Sequence, residues 1–324
     1  MTLSVIVANY NYGSYVQGAL EDIFRQSYKP LEVIIFDDAS TDNSATIIER
    51  FIKGLPNVRL IRHEMNIGIV QLGNNAKEIA RGDYIYYAAA DDRILPGFFE
   101  KSMGLLSKYP EAGLCCSDPG VIDGLTGIVK EIRMHWGDKS SYFSPAGFAK
   151  IIRGGYIASH TSIVKRARFS EVGGWIPSLR WHADWFTPLV IGFRHGVCYI
   201  PECLALNRVM PHSFSIAGRR RWPLQKDVLA CLVNLLKSPA YRDLIPYFIQ
   251  GNVMHHFGRE IVRVVVGDPR YWDIRIFMLI RWQIWYEIRR YLSFIVPKPL
   301  KRAKKSYERR YTNRKSFEEI FLKP

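Results

Sequence analysis

The chain has 324 residues, of which 45 are Lys or Arg and 30 are Asp or Glu, so its formal net charge is +15. A composition of 48% hydrophobic and 23% charged residues is globular and excludes a chain that is disordered throughout. The length predicts one large α/β domain with an appendage, or two domains.

The first hundred residues alternate between two hydrophobic patterns. Short apolar runs are typical of strands buried on both faces, and the segments between them have helical spacing. The predicted strands are 3–8, 32–36, 58–63 and 84–88, and the predicted helices are 15–26, 44–53, 69–80 and 96–108. Repeated βα units predict a parallel sheet with right-handed crossovers, whose ligands lie beyond the carboxyl ends of the strands.

The following residues, 113–205, are less regular and richer in glycine and aromatic side chains. Strands are expected at 114–117 and 158–164, and a helix at 184–193. After about Arg219 the pattern becomes helical, with many Trp, Tyr and Arg residues.

Two acidic pairs follow predicted strands. Asp37 and Asp38 come after the second strand, and Asp91 and Asp92 after the fourth. Each pair alone is more often a helix cap or a solvated turn. Two pairs at the same sheet edge favour a ligand site, where a hard divalent cation bound to a diphosphate would relieve the repulsion between carboxylates.

Two later motifs carry candidate groups. Asp184 lies in Trp181-His-Ala-Asp-Trp185, where flanking aromatics can raise a carboxyl pKa and suit a base; the alternative is a helix N-cap. His212 lies in Arg208-Val-Met-Pro-His212-Ser213, and a lone histidine is more often structural. The usual dinucleotide, P-loop and nucleophile-elbow motifs do not occur.

The five cysteines have no spacing that suits a zinc site, so a disulfide framework and a structural metal are not expected. Reduced thiols are typical of a cytoplasmic protein. The first apolar run has no basic segment before it, so no signal peptide is expected.

An ordered set of motifs resembles family 2 glycosyltransferases over residues 3 to about 215. The set consists of Ser4-Val-Ile-Val-Ala-Asn-Tyr-Asn11, Gln26-Ser-Tyr, Glu32-Val-Ile-Ile, Asp37-Asp-Ala-Ser-Thr-Asp-Asn-Ser44, Asn66-Ile-Gly68, Asn75, Ala80-Arg-Gly-Asp-Tyr-Ile85, Ala90-Asp91-Asp92 and Val172-Gly-Gly-Trp175. Any one of these is weak, but their order and spacing together are highly specific.

The resemblance implies a GT-A fold and metal-assisted, inverting transfer of a sugar from a nucleotide-sugar to an acceptor hydroxyl. It implies a catalytic domain at 1–218, with a nucleotide-binding half at 1–112 and an acceptor half at 113–218. The residue pattern and the charge predict a helical basic region at 219–324. The resemblance assigns the nucleotide-sugar to Ala8, Tyr10, Asp37, Asp38, Asn66, Ala90 and Asp91. It assigns Mg²⁺ or Mn²⁺ to Asp91 and His212, with Asp92 as a secondary candidate, and the catalytic base to Asp184.

Three positions depart from the family pattern. Ala89 replaces the first acid of the metal motif, Ala183 replaces a frequent Glu before the base, and Ala8 replaces a frequent Pro. The first two changes suggest an alternative in which the chain is a non-catalytic nucleotide-sugar-binding or scaffold subunit.

The excess positive charge lies toward the carboxyl end. Residues 259–324 contain 17 Lys and Arg and 7 Asp and Glu, a net +10, whereas residues 1–258 have a net +5. The apolar stretch 274–296 is interrupted by charges and too polar to span a bilayer. Either it packs on the catalytic domain, or it forms with the basic residues up to 315 a surface for anionic membrane.

Without a recognised module, nucleic-acid binding is not expected. The expected partners are a UDP-, GDP- or dTDP-sugar and a glycan or lipid-linked acceptor, used in cell-surface polysaccharide or lipid-linked glycan synthesis. The expected location is the cytoplasm, at the inner face of the cell membrane.

Overall fold

The computed structural model describes residues 1–211, 213–295 and 311–315. Within them, an α/β core precedes a group of helices. The strands are β1 (Leu3–Asn9), β2 (Glu32–Asp37), β3 (Val58–Arg62), β4 (Tyr84–Ala89), β5 (Arg93–Ile94), β6 (Leu114–Asp123), β7 (Val129–Ile132), β8 (Ser141–Phe143), β9 (Ser162–Lys165), β10 (Val197–Val209) and β11 (Tyr311–Lys315). The helices are α1 (Gly13–Arg25), α2 (Ser44–Ile52), α3 (Ile69–Ile79), α4 (Phe98–Lys108), α5 (Pro145–Ile152), α6 (Arg166–Glu171), α7 (Ala183–His195), α8 (Phe214–Arg220), α9 (Trp222–Lys237), α10 (Ile245–Gly251), α11 (Arg259–Val266) and α12 (Ile274–Ile295).

The predicted βα units of the first hundred residues are confirmed, with ends that shift by one or two residues. β1 is an inner strand of the sheet and pairs in parallel with β2 on one side and β4 on the other. Its apolar side chains from Leu3 to Val7 are almost completely buried, because helices cover both faces of the sheet.

The second half of the sheet is mixed. β9 runs antiparallel to both β4 and β6, and β10 runs parallel to β6 along most of its length. The strand expected at 158–164 was wrong at its start, since Ser159–Thr161 form a 3-10 turn and β9 begins at Ser162. The long strand β10 was not predicted.

The helices after residue 218 share a core with the sheet. Apolar residues of α9 to α12 are buried in one cluster together with residues of α5, α7 and β6, for example Phe248 and Phe257 with Phe186. Within the part of the chain that is described, no helix has the length and apolar character needed to cross a membrane.

The strand register brings the acidic turns together. Ala8 in β1 lies opposite Ala89 in β4, and Asn9 lies opposite Asp37 in β2. Both acidic pairs therefore leave the sheet at its carboxyl edge, on either side of the turn that follows β1.

Candidate active site

A cavity of about 830 Å³ opens at this edge, a volume typical of small-molecule sites. Of the residues assigned from the sequence, it is lined by Ala8, Tyr10, Asp38, Asn66, Asp91, Asp92 and Asp184. Asp37 and Ala90 are buried beside it and are not among its lining residues. His212 lies outside the described residues.

Asp38 organises one wall of the cavity. Its Oδ1 accepts from the backbone N–H of Ile67 at 3.0 Å and faces Nδ1 of His63 at 2.8 Å, while its Oδ2 accepts from the N–H of Gly68 at 3.0 Å. A carboxylate has about four acceptor positions, so roughly one is left for a ligand. Asp38 thereby fixes the loop that presents Asn66.

Asp37 instead fixes the turn after β1. Its Oδ1 accepts from Nδ2 of Asn9 at 2.7 Å, and the same amide also donates to Oγ of Ser40 at 3.0 Å. Asn9 lines the cavity, and its buried Oδ1 has no partner among the described residues. Sequence reasoning did not single out Asn9.

Asp91 and Asp92 form the second acidic wall, and Arg208 holds it in place. The backbone N–H of Arg208 donates to Oδ1 of Asp92 at 2.9 Å, and its Nε donates to the carbonyl of Asp91 at 3.2 Å. Its guanidinium lies 4.4 Å from the ring centroid of Tyr15, a cation–π contact. Strand β10 is thus tied to the acidic turn and to α1.

Burial raises the pKa of both carboxyl groups. Desolvation raises the pKa of Asp91 to about 6, against the opposing effects of Arg208 and of the hydroxyl of Tyr12. Desolvation and the neighbouring charge of Asp91 raise the pKa of Asp92 well above its usual range. Two carboxylates that resist ionising side by side would be relieved by a bound cation.

The donor set fits a divalent metal in part. Carboxylate oxygens are ligands that Mg²⁺ and Mn²⁺ favour, and Mg²⁺ keeps several water ligands. Among the residues that the structure describes, no three His, Cys, Asp or Glu side chains form a metal-binding group. Ala89 also lines the cavity and contributes only a methyl group. The turn would supply Asp91 and Asp92, and substrate oxygens and water would complete the coordination.

Asp184 lies in the first turn of α7 and lines the same cavity. Its side chain is exposed to the cavity, but the surrounding protein reduces its hydration and raises its pKa to about 6. Hydrogen bonds from its own N–H and that of Trp185 oppose this shift. The carboxylate is open, oriented by a helix N-terminus, and has a pKa suited to accepting a proton near neutral pH.

Three histidines line the cavity together with Asp184: His160, His182 and His256. Burial lowers the pKa of His160 and of His182 to about 4 and that of His256 to about 3, so all three are neutral at pH 7. His256 comes from the helical region after residue 218, which therefore builds part of this wall. No pattern in the sequence pointed to it.

The loop before α7 is anchored to that helical region. Nε1 of Trp181 donates to Oε1 of Gln225 at 2.8 Å, and Nε2 of Gln225 donates to Glu260 at 2.7 Å. Arg180 and Arg219 also line the cavity, and neither has an ion-pair partner in the part of the chain described. Sequence reasoning missed both, because isolated arginines carry no motif.

A family model matches the part of the chain that contains both acidic pairs. The family model described as glycosyl transferase family 2 matches residues 4–173, more than half of the chain. The chain belongs to glycosyl transferase family 2. The match includes both acidic pairs and ends before Asp184.

Relatives of this family 2 member include YibD of Escherichia coli (strain K12), an uncharacterized glycosyltransferase. The two are 38% identical over 101 residues, a segment that covers 31% of this chain and 29% of YibD. The chain thus matches less than a third of that relative's length.

Two solved structures share the GT-A fold with this family 2 member. S. aureus TarS 1-349, in complex with UDP-GlcNAc, has a TM-score of 0.66 and 14% identity, covering 91% of this chain and 92% of that one. The mannosyltransferase PcManGT from Pyrobaculum calidifontis, in complex with GDP-Man and Mn²⁺, has a TM-score of 0.56 and 16% identity, covering 90% and 82%. The predicted fold class is confirmed.

Proposed function

We propose that this family 2 member is an enzyme that transfers a sugar from a UDP-, GDP- or dTDP-sugar to an acceptor hydroxyl, with inversion at the anomeric carbon. The observation that carries the proposal is the placement of Asp38, Asp91 and Asp184 on the walls of one cavity. The nucleotide-sugars bound by TarS and by PcManGT support the donor class.

Different residues of the cavity bind the donor and activate the acceptor. Tyr10, Asn66 and the remaining acceptor position of Asp38 hold the nucleoside. Arg208, which braces the acidic turn, adds positive charge near the diphosphate. Asp184 takes the proton of the acceptor hydroxyl while the hydroxyl oxygen attacks the anomeric carbon on the face opposite the nucleoside diphosphate. The bond between that carbon and the diphosphate oxygen breaks, and the nucleoside diphosphate leaves. A single displacement of this kind inverts that carbon.

Asp91 and Asp92 would hold a divalent cation, Mg²⁺ or Mn²⁺. When bound, such a cation neutralises charge that develops on the departing nucleoside diphosphate. The Mn²⁺ in the PcManGT complex and the raised pKa values of the two carboxyl groups support this assignment.

We further propose that the acceptor is a glycan or a lipid-linked glycan of cell-surface polysaccharide synthesis, and that transfer takes place in the cytoplasm at the inner face of the membrane. The support is the concentration of basic residues at the carboxyl end. Arg180 and Arg219 line the same cavity and would contact phosphate oxygens of such an acceptor.

A second candidate is a non-catalytic nucleotide-sugar-binding or scaffold subunit. The observation that favours it is that Ala89 and Ala183, which replace acids of the family pattern, both line the cavity. Such a protein would bind the donor without turning it over.

The proposal is tested by a thermal-shift screen of nucleotide-sugars with and without Mn²⁺. A ligand present at 100 times its Kd stabilises the native state by about 2.7 kcal/mol, so the correct donor class raises the melting temperature clearly. Asp91→Ala should reduce the Mn²⁺-dependent part of this shift. Asp138→Ala, at an exposed site that does not line the cavity, is the control. If no nucleotide-sugar raises the melting temperature of the wild type, the proposal fails.

A further inference from the structure

Helix α12 has one face that the described residues leave uncovered. Ile274, Met278, Trp282 and Trp285 are between 45% and 74% exposed, and Tyr286 and Ile288 are 65% and 52% exposed. Positions 274, 278, 282, 285 and 289 are three or four residues apart, so they form one stripe along the helix. The outer face of α12 is defined here by its exposed side chains, which are Ile274, Met278, Arg281, Trp282, Trp285, Tyr286, Ile288 and Arg289.

The opposite face of the same helix is a normal core face. Ile276, Leu279 and Ile280 are at most 2% exposed, and they belong to the cluster that also contains Phe257 and Trp185. On that side Glu287 forms an ion pair with Arg259 at 3.3 Å. The helix is therefore apolar on two sides, although packing explains only one. Burial in a second apolar environment would explain the other.

The outer face combines aromatic rings with positive charge. The guanidinium of Arg281 lies 5.6 Å from the ring centroid of Trp282, and that of Arg289 lies 5.0 Å from that of Trp285. The one acidic side chain of the helix, Glu287, is on the inner side. Indole rings next to arginines are the composition that favours the headgroup region of a bilayer, where the ring is half buried and the cation meets lipid phosphate.

Charge argues against two other occupants of this face. Residues 296–310 contain seven Lys or Arg residues and one Glu, so that segment would bring like charge to Arg281 and Arg289. A second copy docking through the same face would bring two more arginines into the contact, and the only acidic residue of the helix, Glu287, lies on the inner side. A nucleic acid would pair with the arginines but would leave Ile274, Met278 and Ile288 without apolar partners.

We propose that the outer face of α12 docks this protein on an anionic lipid bilayer. The aromatic and aliphatic side chains enter the headgroup region, Arg281 and Arg289 contact lipid phosphates, and the basic residues that follow add long-range attraction. Only the role of docking, which is to bring the cavity to a lipid-linked acceptor, rests on the proposed function. Docking itself needs neither donor nor metal.

Docking and the cavity are structurally connected. The inner face of α12 packs in the same core as Phe257 and Trp185, and His256 next to Phe257 lines the cavity. A membrane-bound α12 thus belongs to the same packed unit as the wall near Asp184.

The test is flotation of the full chain with vesicles of phosphatidylcholine alone and of phosphatidylcholine mixed with phosphatidylglycerol. The wild type should float with the anionic vesicles. Trp282→Ser combined with Trp285→Ser should weaken binding to them by about tenfold or more. Arg281→Glu combined with Arg289→Glu should remove the preference for anionic lipid, since each cation near such a surface strengthens binding by about fivefold.

The matched control is Met65→Ser combined with Leu125→Ser, two apolar side chains that are 71% and 74% exposed elsewhere. It should float like the wild type. Unchanged melting temperatures of all variants establish that they are folded, and a retained donor shift shows that the cavity is intact. Equal vesicle binding by the Trp double variant and the wild type would overturn the proposal. So would a wild type that binds no vesicles but binds duplex DNA, with DNA binding lost in the Arg variant.

Discussion

The indole of Trp185 stacks on the imidazole of His256, with ring centroids 5.5 Å apart and ring planes at 21°. Trp185 directly follows Asp184 in α7, whereas His256 belongs to the helical region after residue 218. This contact makes the helical region part of the wall beside the proposed base. The composition changes near residue 218, but the packing is continuous across it.

Transfer should depend on pH through Asp184. Its pKa is raised to about 6, and a base must be ionised to accept a proton, so the rate rises with pH through about 6 and levels off above it. Below that pKa the rate should fall about tenfold per pH unit. The quantity to measure is kcat at saturating donor and metal, because ionisation of Asp91 then no longer limits donor binding. A profile that is flat between pH 5 and 8 would exclude Asp184 as the base.

The Asp184→Asn variant should be more stable than the wild type above pH 6. The pKa of Asp184 is higher in the folded than in the unfolded chain, so its ionisation between about pH 4 and 6 lowers the free energy of unfolding. The variant avoids that loss. Because the carboxyl is open to solvent, the gain should stay below about 1 kcal/mol, or roughly 2 °C in melting temperature.

The measurement is the melting temperature of both proteins at pH 8 and at pH 3.5, below the unfolded pKa. The difference should disappear at the lower pH, where both side chains are neutral. A variant less stable than the wild type at pH 8 would contradict the assigned pKa shift.

Arg208 should be a positioning residue for the acidic turn. Arg208→Ala removes the contact of Nε with the carbonyl of Asp91 and the charge near both carboxylates. Turnover should fall by about 10²-fold. Arg208→Lys keeps the charge but loses the planar stacking on Tyr15, so partial recovery is expected.

Arg50→Ala, at an exposed site of α2, is the control for Arg208 and should leave turnover unchanged. The Kd for Mn²⁺ in the presence of a nucleoside diphosphate separates positioning from packing. If Arg208→Ala changes stability alone and neither this Kd nor turnover, Arg208 is structural.

Two helical glycines should respond to alanine in opposite directions. A Cβ at Gly73 in α3 would overlap the indole of Trp175, whereas a Cβ at Gly104 in α4 meets nothing within 4 Å. Gly73→Ala should lower the free energy of unfolding by about 1–3 kcal/mol through overpacking. Gly104→Ala should raise it by about 0.5–1 kcal/mol through helix propensity. Denaturant titration of both variants measures these changes, and the same sign for both would contradict the packing described.

The sequence predicted the parallel half of the fold well, because each element there has a local cause. The short apolar runs that begin at Leu3 and Glu32 predict strands covered on both faces. The acidic pairs come directly after strands in the sequence, so their place at the carboxyl edge of the sheet could be predicted. The mixed half was harder, since β10 carries Pro201 and Glu202 and its course depends on long-range parallel pairing with β6.

The predicted candidate site was incomplete because some of its residues depend on long-range packing. Asp38, Asp91 and Asp184 stand in recognisable motifs, whereas Arg208, Arg219 and His256 reach the cavity only through tertiary packing. The choice of Asp37 as a ligand residue could not be tested from sequence, because only the fold shows that its Oδ1 accepts from Asn9.

The central claim is that Asp184 activates an acceptor for sugar transfer in this cavity. The most direct measurement is the release of nucleoside diphosphate from the donor that the screen identifies, in the wild type, in Asp184→Asn and in the control Asp138→Asn. Asp184→Asn should lose about 10²- to 10⁴-fold in turnover with a donor Kd within about twofold of the wild type, and Asp138→Asn should lose nothing. Turnover by Asp184→Asn at the wild-type rate would contradict the claim, and donor binding without turnover in the wild type would favour the non-catalytic subunit.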